Sequence, residues 1–303
     1  MHRQRKLGRR RFIKLAAVGT AAAGFAGTVG RRAKGGVPAG QRVTLRIGIR
    51  AASMKMVGDF DVIKTAAGVP GIRGVELQAA HGTPSLRDPD AVRRYKQESQ
   101  RWSIEIPSLA GVWDRGVNIN SPRADDSLAK SIRAAESLGA GVILLAFFRQ
   151  NAPDMAREES YGPVVDLLRA TAKRASEAGV VMGLENSLSP ADNRKLVDLV
   201  DHPAVRVYYD PHNMTYYGHA DQAIPGIKLL GKERICTVHV KNGDKLIEEP
   251  GPIDWAAAFR EFNEIGYDGW YVYETAHQST EDCVEDTKKN NAFLKQHVKT
   301  AAG

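Results

Sequence analysis

The stretch "SYGPVVDLLRATAKRASEAGVVMGLEN", residues 160–186, holds the decision about the fold. Its first nineteen residues place apolar side chains at helical spacing, Gly179 follows where a helix would stop, and an uninterrupted apolar run then ends on Glu185 and Asn186. A helix running through one glycine into a short buried strand is half of a βα repeat. Outward from it, seven more apolar runs recur: "VTLRIGI" (43–49), "RGVELQ" (73–78), "IEIPSLA" (104–110), "GVILLAFF" (141–148), "VRVYYD" (205–210), "ICTVHV" (235–240) and "WYVYET" (270–275). Segments of helical length separate them, clearest at 123–138, 160–178, 254–265 and 279–298, and "SLGA", "EAGV" and "EIGY" supply helix stops. Eight strands alternating with helices in about 260 residues predict a (β/α)8 TIM barrel. The alternative, a doubly wound open sheet, would call for a Gly-rich phosphate turn after its first strand, and "IGIRAASMK" has none. No linker or low-complexity tract interrupts residues 41–303, which are read as one domain.

The N-terminus is of another kind. Residues 1–34 contain ten Lys or Arg and no Asp or Glu; removing those ten from the 43 basic residues of the chain leaves 33 against 35 acidic ones. The net charge of +8 therefore belongs to this segment, and a near-neutral body lacks the charge excess of a nucleic-acid binder. "GRRRFIKLAAVGTAAAGFAG" (8–27) orders cations, a short Ala- and Gly-rich apolar run and small residues as a secretory signal does, and Arg9 and Arg10 with the following Arg11, Phe12, Ile13 and Lys14 resemble the twin-arginine export motif. Residues 1–40 are accordingly read as a signal peptide and linker, and the chain as cargo of the twin-arginine machinery bound for the periplasm or the exterior. The apolar stretch is too short and too Gly-rich for a stable membrane span. Cys236 and Cys283 form neither a metal cluster nor a disulfide framework, and whether they pair is left open, as is self-association into a homo-oligomer.

In a parallel barrel the chemistry sits at the C-terminal strand ends. Strand five ends on Glu185, strand six on Asp210, strand seven near His239 and strand eight on Glu274. Period-two alternation turns each of these inward and sends Leu184, Tyr209, Val238 and Tyr273 outward to the helices. Taken singly, each has a bland reading: Asp210 before Pro211 would serve as a helix N-cap, and a lone His on an apolar strand is commonly a hydrogen-bonded core residue. Together, three buried carboxylates without a cation would cost several kcal/mol each. A divalent metal removes that penalty, and the donor set suits Mn²⁺ first, or Mg²⁺, Co²⁺ or Zn²⁺.

"VELQ", "GLEN", "YYDPHN", "VHVKNGD", "GPIDW" and "VYET", in that order, resemble the sugar phosphate isomerase/epimerase family, the xylose isomerase-like TIM barrels, over residues 43–298. The resemblance implies one divalent metal on Glu185, Asp210, His239 and Glu274, with Glu185 and Glu274 as the acid/base pair. It further implies Lys241 in the site wall, with Glu76 and His81 as substrate contacts. Many members carry His three residues after the strand-six Asp; here Asn213 stands there and His212 one place earlier, so both are candidates for that contact. Asn242 and Lys245 also replace the Asp and Arg common after the strand-seven His. Trp113, Tyr216 and Tyr217 are candidate stacking faces for a sugar ring, whereas Trp255 at a helix start reads as core.

The implied reaction is proton abstraction next to a carbonyl, through an enediolate, in a keto-sugar isomerase or epimerase. Elimination by a lyase or dehydratase, and a non-catalytic carbohydrate-binding barrel, are the other readings. A nuclease of the endonuclease IV type would need further His ligands where Leu109 and Asn213 stand, and xylose isomerase itself would have Lys at Ser187.

Overall fold

The computed structural model describes residues 45–299. The twin-arginine segment, and with it the reading of residues 1–40, lies outside them. Eight parallel strands form a closed barrel in sequence order: β1 Arg46–Arg50, β2 Gly74–Gln78, β3 Ser108–Ala110, β4 Val142–Phe147, β5 Val181–Asn186, β6 Val205–Tyr209, β7 Ile235–Val240 and β8 Trp270–Tyr273. β1 pairs with β8 to close it, which excludes the open doubly wound sheet. The helices are α1 Asp61–Ala67, α2 Pro89–Trp102, α3 Ala124–Leu138, α4 Glu158–Glu177, α5 Pro190–Val200, α6 Pro211–Tyr216, α7 Pro225–Leu230, α8 Trp255–Glu264 and α9 Thr280–His297. Among the described residues no helix is long and apolar enough to cross a membrane.

Local chemistry fixes these boundaries. Ser189, Asp254 and Ser279 cap α5, α8 and α9 by accepting backbone N–H bonds from the third residue on. Gly139 and Gly179 end the helices before β4 and β5 at φ +79° and +68°, a conformation that a side chain at Cβ would strain. The core lies mainly between barrel and helices. Leu184, Tyr209, Val238 and Tyr273, the expected outward set, are all in it, as is Trp255, which is 1% exposed. The barrel interior is a smaller cluster around Ala110, Val142, Leu144 and Tyr208.

One irregularity sets the phase of β7. Val207 pairs with Ile235, but the next residue, Tyr208, pairs with Thr237, so Cys236 is an extra residue in the ladder. Its thiol bonds the Val207 carbonyl at 3.3 Å and lies against Gly183, where a Cβ would meet Sγ at 2.9 Å. Because register partners in a parallel pair share a face, this bulge puts Thr237 and His239 on the inward side with Tyr208; regular pairing would have put Val238 there. Cys236 and Cys283 are both free thiols.

Candidate functional site

Glu185 is the penultimate residue of β5 and His239 that of β7, while Asp210 and Glu274 immediately follow β6 and β8. One ligand atom of each lies within 4.8 Å of those of the other three. Asp210 divides its carboxylate between two tasks. Oδ1 caps α6 by accepting the Asn213 N–H at 3.0 Å, and Oδ2 remains on the site side, 2.6 Å from the Lys241 ammonium. The cap and the ligand readings of Asp210 thus concern different oxygens. Glu185 Oε1 accepts from the Asn213 side-chain amide at 2.9 Å. Glu274 Oε2 is 2.7 Å from Lys241 Nζ, and its Oε1 pairs with Arg50.

His239 is fully buried and held from both sides. Nδ1 faces Glu185 Oε1 at 3.1 Å and Glu274 Oε2 at 3.2 Å, whereas Nε2 faces Glu76 Oε1 at 3.4 Å. Burial alone would lower the imidazole pKa, but Glu185 and Glu76 on its two sides raise it. Carboxylates only accept, and they face both ring nitrogens; Nδ1 is the one turned toward the cluster, so a metal there would leave the N–H on the Glu76 side. Glu76 is itself saturated: Ser108 and Tyr208 hydroxyls donate to Oε2, each at 2.7 Å, and Arg50 Nε lies 2.7 Å from Oε1. Burial would push this carboxyl up, but His239 and Arg50 bring it down from 4.5 to about 2.

The donor set fits a divalent cation. Four carboxylates, Glu76, Glu185, Asp210 and Glu274, share the site with two cationic side chains, Arg50 and Lys241, and one imidazole, so the acidic groups outnumber the fixed cations and a bound cation would offset the excess. Hard oxygens and one imidazole, with no thiolate, match the metals that carboxylate sites take.

Above the cluster opens a cavity of about 400 Å³. Glu185 and Glu274 line it, but Asp210 and His239 do not. His81, Asn213 and Lys241 also line it, as does Tyr217, which stacks on Phe148 at 5.3 Å. Four expected substrate contacts are placed elsewhere. Glu76 lies one layer beneath the cavity, with no exposure and its oxygens committed. Trp113 is buried, its indole N–H spent on the Ala146 carbonyl at 2.8 Å. His212 is half-buried outside the lining, and Tyr216 is exposed, bonded by Arg149. Arg50, which lines the cavity and ties Glu76 to Glu274, was not singled out from the sequence. The rule that singles out strand-end residues would have found it at the last position of β1.

The family description "Xylose isomerase-like TIM barrel" matches residues 64–297. The chain is 28% identical over 180 residues to 2-epi-5-epi-valiolone 7-phosphate 2-epimerase of Actinoplanes sp., a match spanning 58% of this chain and 65% of that relative. Among solved structures, a D-psicose 3-epimerase superposes with a TM-score of 0.70 at 14% identity over 84% of this chain and 99% of that one. The 3-keto-D-glucoside 4-epimerase of E. coli does so with 0.66 at 17% over 84% and 100%. At such identities the structural likeness is one of fold.

Proposed function

The chain belongs to the xylose isomerase-like TIM barrel family, and on that premise we propose that it is a divalent-metal-dependent epimerase or isomerase of keto-sugars. One observation carries the reading: of four clustered ligand residues, the two that reach the cavity are both glutamates, on strands β5 and β8. Holding an ion asks nothing of the cavity wall. Moving a proton does, because a base must meet its substrate proton directly or through one water. The names of the epimerases similar to this chain support the same class of chemistry.

When bound, the metal supplies Lewis-acid polarisation of the substrate carbonyl. Glu185, Asp210, His239 and Glu274 are the residues that would hold it. One of Glu185 and Glu274, as the carboxylate, removes the proton on the carbon beside the carbonyl and keeps it, while the other, carrying a proton taken from solvent, returns that proton to the planar enediolate. Return to the opposite face of the same carbon inverts a stereocentre; return to the neighbouring carbon moves the carbonyl. Asn213, donating to Glu185, and Arg50, paired with Glu274, orient the two carboxylates. Tyr217 offers the sugar an apolar face.

Incubation of the Mn²⁺-loaded protein with a panel of keto-hexoses and keto-glucosides in heavy water is expected to place deuterium beside the carbonyl of the true substrate. An inverted centre in the product identifies an epimerase, a moved carbonyl an isomerase, and loss of water or aglycone a lyase. Metal-loaded protein that exchanges no panel member would count against the reading and in favour of a binding barrel.

The export reading rests on Arg9 and Arg10 before a short apolar run. Exchanging both for Lys is expected to retain the protein in the cytoplasm; normal export of that double variant, followed by fractionation, would remove the assignment.

A further inference from the structure

We infer that Lys241 is a built-in counter-ion of the ligand cluster, which a divalent metal displaces, so that its ammonium turns to the substrate cavity in the loaded protein only. The inference rests on the metal reading proposed above, and its basis is which oxygens Lys241 holds. Asp210 has one oxygen committed to the cap of α6, leaving Oδ2. Glu274 has Oε1 committed to Arg50, leaving Oε2. Lys241 Nζ sits 2.6 Å from the first of these free oxygens and 2.7 Å from the second. The two oxygens that Asp210 and Glu274 can offer a metal are therefore the two that the ammonium occupies.

The other cation of the site is placed differently. Arg50 is anchored through Nε to Glu76, which is not among the four ligands, and it touches the oxygen of Glu274 that Lys241 leaves alone. It has no need to move when metal arrives. Lys241 must, and only its side chain is free to do so, because the indole N–H of buried Trp255 bonds its backbone carbonyl at 2.9 Å. Lys241 already lines the cavity, so its released head group has that space to enter. An ammonium held between buried Asp210 and part-buried Glu274 stabilises the metal-free cluster, which would otherwise carry uncompensated charge. The same ammonium, released, becomes a donor for a substrate oxygen.

Two measurements without any sugar test this. Lys241→Met keeps an unbranched stem and removes the competing charge, and it is expected to bind Mn²⁺ at least about tenfold more tightly than wild type by calorimetric titration. Equal or weaker binding by a folded variant overturns the inference. In the wild-type protein, acylation of Lys241 by an amine-reactive ester, followed by peptide mass spectrometry with exposed Lys173 as the internal reference, is expected to accelerate several-fold on Mn²⁺ addition. An unchanged or slower rate overturns it equally, whatever the variant does. If neither protein binds Mn²⁺, this inference falls together with the metal reading. Both expected results with no turnover on any sugar would leave Lys241 as inferred and count against the reaction alone.

Discussion

Glu185→Gln and Glu274→Gln are each expected to lower solvent deuterium exchange and turnover by about 10²- to 10⁴-fold, the range for loss of a positioned acid or base. Glutamine keeps one oxygen for a metal and nearly the same volume, but it cannot accept the substrate proton. The two variants should differ in what else they lose. Glu185 is bonded by Asn213 and His239, whereas Glu274 faces the cations Arg50 and Lys241, so Glu274→Gln leaves more positive charge unbalanced and should weaken metal binding further. Metal content measured beside exchange separates the two effects. Wild-type exchange in either variant, at equal metal content, would show that its glutamate moves no proton.

Glu76→Ala is expected to cost about 3–5 kcal/mol of stability, the usual penalty for breaking a buried ion pair from one side. It strands the guanidinium of Arg50, the hydroxyls of Tyr208 and Ser108, and the Nε2 side of His239. Through His239 it should also weaken metal binding by about 10- to 100-fold, as loss of an outer partner of a ligating His generally does. The pH dependence gives a second check. The carboxyl titrates near 4.5 when unfolded and at about 2 when folded. Its contribution, about 3 kcal/mol for such a shift, is therefore complete above pH about 4.5 and is lost as pH falls toward 2. Denaturant midpoints of wild type and Glu76→Gln should differ at neutral pH and converge in acid. A gap that persists unchanged into acid would mean that the Glu76 charge is not what stabilises this layer.

The strand-end carboxylates were legible because each stands on a short apolar run whose period-two alternation gives its direction, and the closed topology brings those ends to one place. Depth was not legible. Glu76 and Gln78 both face inward on β2, and successive inward residues lie about 7 Å apart along a strand. Gln78 lines the cavity while Glu76 packs beneath it, and a string of letters carries no mark of which layer is the floor. The inward turn of His239 followed from counting back from the strand end. The extra residue at Cys236 that makes this count agree with the neighbouring strand is a property of pairing, invisible in either strand alone. Trp113 illustrates a third limit: an aromatic side chain near a site is equally suited to stacking and to packing, and the Ala146 carbonyl that settles its use is distant in sequence.

The pairing of β1 with β8 has a consequence for the order of events in the cell. Arg46 takes Trp270 as its register partner, so the seam joins the two ends of the described chain, a contact of high sequence separation that forms slowly and late. As the ribosome releases the chain, the first strands emerge with no closing partner, and the last ligand, Glu274, follows the final strand. A nascent chain stopped anywhere before it has neither a sealed barrel nor a complete cluster. A metal held as proposed would therefore be captured only by a chain that includes β8 and Glu274, and the compartment in which closure happens would set the pool of metals open to it.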